Sequence, residues 1–244
     1  MNPIIRSMRS VIISIEGNIG SGKSTFVKNM EETFSQRGVE NMKLVFVQEP
    51  VNQWTKIKDE NGVDMLTKFY GNQEKYAFAF QMMAYISRLS LLKRAYEENP
   101  INTIIVTERS VYTDRYVFAK MLYDNKKIED VEYQIYLKWF DEFINELPVF
   151  AMVYLHTTPE VSHTRVLKRA REGETIPLEY LKKCFQYHED WLSKEQSVLM
   201  IDVSGENHKE NTEKWTTDFV NYLRKNLLGE ADVQNPANSS VGGI

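Results

Sequence analysis

The chain has 244 residues, 42% of them hydrophobic, which is enough for one sizeable core and short enough that a single domain is the expectation. A net charge of −4 argues against a surface that grips nucleic acid through many phosphate contacts, so any working cations must be concentrated locally. Cys184 is the sole cysteine; this excludes an intrachain disulfide and a cysteine-rich metal site, and the residue reads as a small buried apolar group.

No apolar run approaches the ~20 residues of a membrane span, and no leader with an apolar centre and a cleavage site is visible. The reading is a soluble cytoplasmic protein without a membrane partner; mitochondrial import stays open because the opening segment carries Arg6 and Arg9 and no acid. In chain order, Val11–Glu16 reads as a buried strand. It runs into Gly17-Asn18-Ile19-Gly20-Ser21-Gly22-Lys23-Ser24-Thr25, which satisfies the G-x-x-x-x-G-K-[ST] pattern between a strand and a helix. Glycines let the backbone wrap phosphate oxygens, and the amides opening the helix supply donors and a favourable dipole. Lys23 is expected at the β- and γ-phosphates of a nucleoside triphosphate such as ATP, and the Ser24 hydroxyl on Mg²⁺.

A second strand, Lys43–Gln48, is followed by Glu49, at the carboxyl edge where ligands bind in open α/β sheets. Phosphoryl transfer asks little covalent chemistry of a protein, but the acceptor hydroxyl must be aimed and relieved of its proton, a role that suits Glu49. The segment Gln73–Tyr96 predicts an internal helix with Gln81, Ala84 and Arg88 on one face. A third strand, Thr103–Glu108, places Glu108 as a second Mg²⁺ ligand and Arg109 beside the phosphate. Val131–Leu147 predicts an aromatic helix that supplies core or a subunit contact, and strands are expected at Phe150–His156 and Ser197–Val203.

Between those strands, Arg165, Lys168, Arg169 and Arg171 crowd one helical end; with Glu172 and Glu174 they read as a lid, about residues 165–175, that closes over the triphosphate. From Gly229 to Ile244 the chain loses apolar periodicity and is expected to be a disordered tail behind a single domain, residues 1–228. The alternation of strands and helices predicts an α/β protein of the P-loop kinase-type three-layer fold, a five-stranded parallel sheet with helices on both faces.

The cradle, Glu49-Pro50-Val51, Trp54, Tyr70, Phe80-Gln81, Glu108-Arg109-Ser110-Val111-Tyr112, Asp114-Arg115-Tyr116, Arg169-Ala170-Arg171 and Ile176-Pro177-Leu178-Glu179-Tyr180-Leu181 together resemble the eukaryotic and viral deoxynucleoside kinases, and among them the deoxycytidine and deoxyguanosine kinase branch. The resemblance runs from about Val11 to Leu227. It implies transfer of the γ-phosphate of a nucleoside triphosphate to the 5′-hydroxyl of a deoxynucleoside. Glu49 is then the general base, Arg109 its partner at the 5′-oxygen, and Arg165, Arg169 and Arg171 the lid cations. Tyr70 and a lid glutamate would hold the 3′-hydroxyl, Gln81 would pair with the base edge, and Trp54, Phe80 and Phe118 would wall it. A homodimer built through helices is also implied.

Ala84, Arg88 and Asp114 resemble the deoxycytidine and purine branch rather than the thymidine one: a small Ala84 leaves room, and an Arg88–Asp114 pair offers fixed polar groups. Which of deoxycytidine, deoxyadenosine and deoxyguanosine is preferred stays open. The stretch after Arg171 is one residue short, leaving Glu174, with Glu172 in reserve, for the 3′-hydroxyl; Ser204–Asn211 matches the relatives' donor-base loop poorly, so the donor is ATP or another triphosphate. Two rival readings are a thymidylate kinase, which would need a further basic clamp for the substrate phosphate, and a non-catalytic GTPase-like switch, whose Asn-Lys-x-Asp guanine motif is missing.

Overall fold

The computed structural model describes residues 9–34, 38–39, 41–144, 147, 149–205 and 208–228. The expected tail, 229–244, and Arg6 lie outside them. The strands are β1 (Val11–Glu16), β2 (Lys43–Val47), β3 (Thr103–Glu108), β4 (Val149–His156) and β5 (Val198–Asp202), joined in the order β2-β3-β1-β4-β5, every pairing parallel. The helices are α1 (Lys23–Phe34), α2 (Val51–Trp54), α3 (Met65–Gly71), α4 (Gln73–Glu98), α5 (Val111–Thr113), α6 (Lys120–Asp124), α7 (Asp130–Phe143), α8 (Pro159–Arg169), α9 (Leu178–Leu192) and α10 (His208–Leu228). A π-helical stretch, Asp114–Ala119, joins α5 to α6.

The central strands β1 and β3 are apolar but for Ser14, Thr103, Thr107 and their terminal glutamates, because both faces of the sheet are covered there, while the edge strands β2 and β5 are only partly buried. Side chains alternate along a strand, and the two sets find different helices. Ile13, Ile15, Ile104 and Val106 pack with Phe26, Val27 and Met30 of α1 and Phe219 and Leu223 of α10. Ile12 and Ile105 face the other way, against Tyr85 and Leu92 of α4 and Tyr136 and Phe140 of α7. On that same side Met152 and Tyr154 of β4 meet Cys184, Trp191 and Leu192 of α9. Cys184 is fully buried, as its chemistry suggested, and burial pushes its thiol up to about 12.

Local sequence sets the ends. Asp64 accepts from the Thr67 amide at 3.0 Å to start α3, Asn72 from Lys75 at 3.2 Å to start α4, and Thr158 from Val161 at 3.3 Å, with Pro159 in the first turn, to start α8. The aromatic helix is shorter than expected and stops at Phe143 rather than Leu147, in keeping with Pro148, which disfavours helix in the residue before it. It supplies core through the buried Tyr136 and Phe140, while Val131, Ile135 and Trp139 are exposed, as is Ile86 of α4.

With β1 central, α1 leaves its carboxyl end toward one face of the sheet and the α5–α7 connection leaves β3 toward the other. The carboxyl ends of β1, β2 and β3 therefore form the mouth of a crevice, where such sheets hold ligands.

Candidate active site

The cradle follows β1 directly. Gly17, Gly20 and Gly22 have φ of 143°, 80° and 97°. A Cβ on Gly17 would lie 2.7 Å from the Leu155 carbonyl, and one on Gly20 2.5 Å from the Ser162 carbonyl, so both must be glycine for the loop to seat against β4 and α8. The Asn18 side chain ties the loop to α9 by donating to the Leu181 carbonyl at 2.9 Å. Lys23 is buried and donates to the Gly17 and Asn18 carbonyls at 3.0 and 2.7 Å. Burial presses its ammonium down to about 7, with Arg109 adding to the effect against the pull of Glu108, Glu49 and Glu16. Ser24 donates to Glu108 Oε1 at 2.8 Å, which brings a hydroxyl and a carboxylate together at the head of α1.

Glu49 sits two residues beyond β2, between two guanidinium groups. Arg88 Nη2 donates to its Oε1 at 2.9 Å, and Arg109 Nη1 stands 3.4 Å from Oε2. Burial alone would raise its carboxyl, but Arg109, Arg88 and Lys23 outweigh that and hold it at about 2. Arg88 is 2% exposed and uses its whole fork: Nε and Nη2 meet Asp114 at 2.9 and 3.2 Å, and Nη1 donates to the Glu108 carbonyl at 3.2 Å. The expected Arg88–Asp114 pair is thus one half of a chain that ends on Glu49. Arg109 has a φ of 64°, donates to the Gly17 carbonyl at 3.3 Å, and lies over the Phe118 ring at 5.2 Å.

Glu49 and Lys23 line one cavity of about 1120 Å³. Around it the cradle supplies Ile19, Gly20, Gly22, Ser24 and Thr25, while Gly17, Asn18 and Ser21 form the frame behind. Deeper in, Trp54, Tyr70, Phe80, Ala84, Arg88, Asp114 and Phe118 line an aromatic compartment. Trp54 and Phe80 meet edge to face at 5.5 Å, and Phe80 stacks on Phe69 at 4.3 Å. Gln81 is not among the lining residues; it is 2% exposed, and its Oε1 has no hydrogen-bond partner.

At the other mouth stand Arg165, Lys168, Arg169 and Arg171 with Glu174. Glu174 has a side chain only 3% exposed and pairs with both Arg169 and Arg171. Glu172 is exposed and outside the cavity, which favours Glu174 of the two. Arg165 departs from its neighbours: it bridges the Ser21 carbonyl at 3.4 Å and the Val203 carbonyl at 2.7 Å, fastening the turn after β5 to the cradle. The turn at Gly173 lies close against α3, so close that a Cβ there would collide with Thr67 Oγ1. Burial, then Glu174, raise the Tyr70 hydroxyl, so it stays a donor.

Sequence reasoning missed Leu66 and Phe69, which line the cavity from α3 next to Tyr70. The spacing Leu66-x-x-Phe69-Tyr70 was the available signal. It also passed over Glu16, a fully buried carboxylate beneath Arg109.

A phosphate cradle and an aromatic-lined wall sharing one cavity with a buried carboxylate are the features of a P-loop phosphotransferase. A family model described as deoxynucleoside kinase matches residues 13–227. A fowlpox virus protein titled probable deoxycytidine kinase is 36% identical over 202 residues, covering 80% of this chain and 78% of its own length. Human deoxycytidine kinase is 33% identical, covering 86% and 90%, and the mitochondrial deoxyguanosine kinase of Xenopus laevis is 31% identical, covering 84% and 80%. The chain belongs to the deoxynucleoside kinase family, and its activity is phosphorylation of a deoxynucleoside at the expense of a nucleotide phosphate donor. No helix among the described residues is long and apolar enough to cross a membrane.

The Glu49 clamp has a thermodynamic signature. A carboxylate whose folded pKa is depressed adds stability above its unfolded value of about 4.3 and loses it as pH falls toward its folded value. The stability difference between wild type and Glu49→Gln, from urea unfolding, should therefore be constant near neutrality and shift against the wild type between about pH 5 and pH 2.

Proposed function

We propose that Glu49 aims the 5′-hydroxyl of a deoxynucleoside at the γ-phosphorus of a triphosphate seated on the cradle and takes up its proton. The observation that carries this reading is the shared cavity of Glu49 and Lys23, with Glu49 clamped by Arg88 and Arg109. As the new O–P bond forms, the bond from γ-phosphorus to the bridging oxygen breaks, and the electron pair leaves on the nucleoside diphosphate. A carboxylate held at about 2 is ionised at any working pH.

Arg109 neutralises charge at the 5′-oxygen, and Arg165, Arg169 and Arg171 neutralise charge on the transferring phosphoryl. Ser24 and Glu108 are hard oxygen donors already in contact, a donor set that fits Mg²⁺, which favours few protein ligands and keeps waters and phosphate oxygens. When bound there, Mg²⁺ would offset phosphate charge. Among the described residues no group of three or more His, Cys, Asp or Glu could hold a metal, so a cation would be shared with the substrate phosphates. The donor itself we take to be ATP.

Tyr70 and Glu174 take the 3′-hydroxyl, and the aromatic walls take the base. Gln81 lies outside the cavity lining with its Oε1 unpartnered, so it takes the base edge only by turning its side chain through the wall when the nucleoside binds. The polar Arg88–Asp114 pair and the small Ala84 favour deoxycytidine or a purine deoxynucleoside over thymidine, in line with the names of the relatives. The rival thymidylate kinase reading asks for a basic clamp beside the acceptor, whereas the cations nearest Glu49, Arg88 and Arg109, are committed to it. We also propose one domain, residues 1–228, working in the cytoplasm as a homodimer through the exposed Ile86, Val131, Ile135 and Trp139; fractionation of cells would test the compartment.

A coupled assay over nucleosides and monophosphates tests the activity: free deoxycytidine, deoxyadenosine or deoxyguanosine should turn over, and Glu49→Ala should lower kcat by about 10²–10⁴-fold with ATP binding kept. Turnover of thymidylate alone would contradict the reading. Replacing Arg88 and Asp114 by Met and Ala should move the thymidine-to-deoxycytidine ratio of kcat/KM by at least about tenfold toward thymidine. Total activity should also fall, because Glu49 loses one of its cations. Sedimentation of wild type and Trp139→Glu should show a dimer and a monomer; a monomeric wild type would remove the subunit contact.

A further inference from the structure

Arg109 meets Glu49 from a backbone held in a left-handed conformation, φ 64°, which a residue with a long side chain adopts at a cost and keeps only when its surroundings enforce it. Three anchors enforce it. The Arg109 amide donates to the Ile15 carbonyl at 3.0 Å, and the Arg109 carbonyl accepts from Thr107 Oγ1 at 2.9 Å. The third anchor is Glu16. Its carboxylate accepts from the Ser110 amide at 3.0 Å, from the Ser110 hydroxyl at 2.6 Å, and from the Thr113 hydroxyl.

Glu16 is fully buried, and burying a carboxylate is costly unless its oxygens are satisfied, as they are here by three donors from one turn. Its position links two functional loops. Its own backbone runs straight into Gly17, whose carbonyl accepts from both Lys23 and the Arg109 guanidinium. The turn it grips begins right after Arg109 and ends right before Asp114, the partner of Arg88. The carboxylate does not line the cavity, so it does not meet substrate.

We propose that Glu16 is a positioning residue for phosphoryl transfer: it locks the turn 109–114 against the end of β1, fixing Arg109 at the angle from which it meets Glu49. This rests on the reading of Arg109 as the partner of the base at the 5′-oxygen. Loss of Glu16 frees the Arg109 peptide to relax, so the effect falls on the chemical step rather than on the binding of either substrate.

The test compares kcat, both KM values and thermal midpoints for wild type, Glu16→Gln, Glu16→Ala, Arg109→Ala and the double variant Glu16→Ala/Arg109→Ala. Glu16→Ala should lower kcat by at least about 30-fold with each KM within about threefold, and the double variant should be no slower than Arg109→Ala by more than about twofold. Glu16→Gln keeps an acceptor for Ser110 and should recover kcat to within about fivefold of wild type.

A Glu16→Ala variant that is less heat-stable but retains kcat would overturn the inference, as would losses that multiply in the double variant. If Arg109→Ala keeps full kcat, the underlying reading of Arg109 fails instead, and the two failures are separable. Should Glu16→Ala not fold, Thr113→Val removes one of the three donors and Thr113→Ser retains it. The former should lower kcat by about three- to tenfold and the latter should not; equal kcat in both would also overturn the inference.

Discussion

A carboxylate held between two guanidinium groups is the interaction on which this site depends. Glu49 would be unstable as an anion in its pocket if burial acted alone, and Arg109 and Arg88 more than reverse that penalty. The three groups come from three separate elements, the end of β2, the middle of α4 and the end of β3. The parallel sheet delivers Glu49 and Arg109, its strand order bringing the β2 and β3 edges beside the cradle after β1, and α4 brings Arg88 between them. A buried ion pair contributes little net stability, and breaking one leaves an unpaired charge, so such a cluster is better understood as fixing geometry. Arg88 carries this further, since the guanidinium that pairs with Asp114 also holds Glu49 and so joins the two carboxylates through one side chain.

The second constraint is charge placed locally against the overall balance. A chain of net charge −4 gathers Lys23, Arg88, Arg109, Arg165, Lys168, Arg169 and Arg171 around one cavity, against Glu49, Glu108, Asp114 and Glu174. The surplus is what a triphosphate needs, and the acidic remainder discourages binding to polyanions. Residues 165–174 are held at both ends: Arg165 fastens the turn after β5 to the cradle, and Gly173 lets its turn settle on Thr67 of α3.

The fold could be read from the sequence because its signals are local. Five short β-branched or apolar runs with helical segments between them leave few alternatives to a parallel sheet, and strand ends moved by only a residue or so, as with Gln48 dropping out of β2. The cradle was legible for the same reason, its chemistry lying in nine consecutive residues. What local patterns could not disclose were pairings across long separations. Arg88 and Glu49 are 39 residues apart, and Glu16 and Ser110 are 94 apart. Nothing in the composition around Glu16 marks it as more than the last residue of a strand. Gln81 shows the converse: helical spacing put it on the face of Ala84 and Arg88, yet packing leaves it behind the cavity wall with an unmet acceptor.

The most direct test of the central claim is a crystal structure with deoxycytidine and a non-hydrolysable ATP analogue bound together. The account predicts the 5′-oxygen within about 3.2 Å of the Glu49 carboxylate, on the side facing a γ-phosphate that has drawn Lys23 away from the Gly17 and Asn18 carbonyls. A nucleoside whose 5′-oxygen points away from Glu49, with that carboxylate still closed between Arg88 and Arg109, would contradict it.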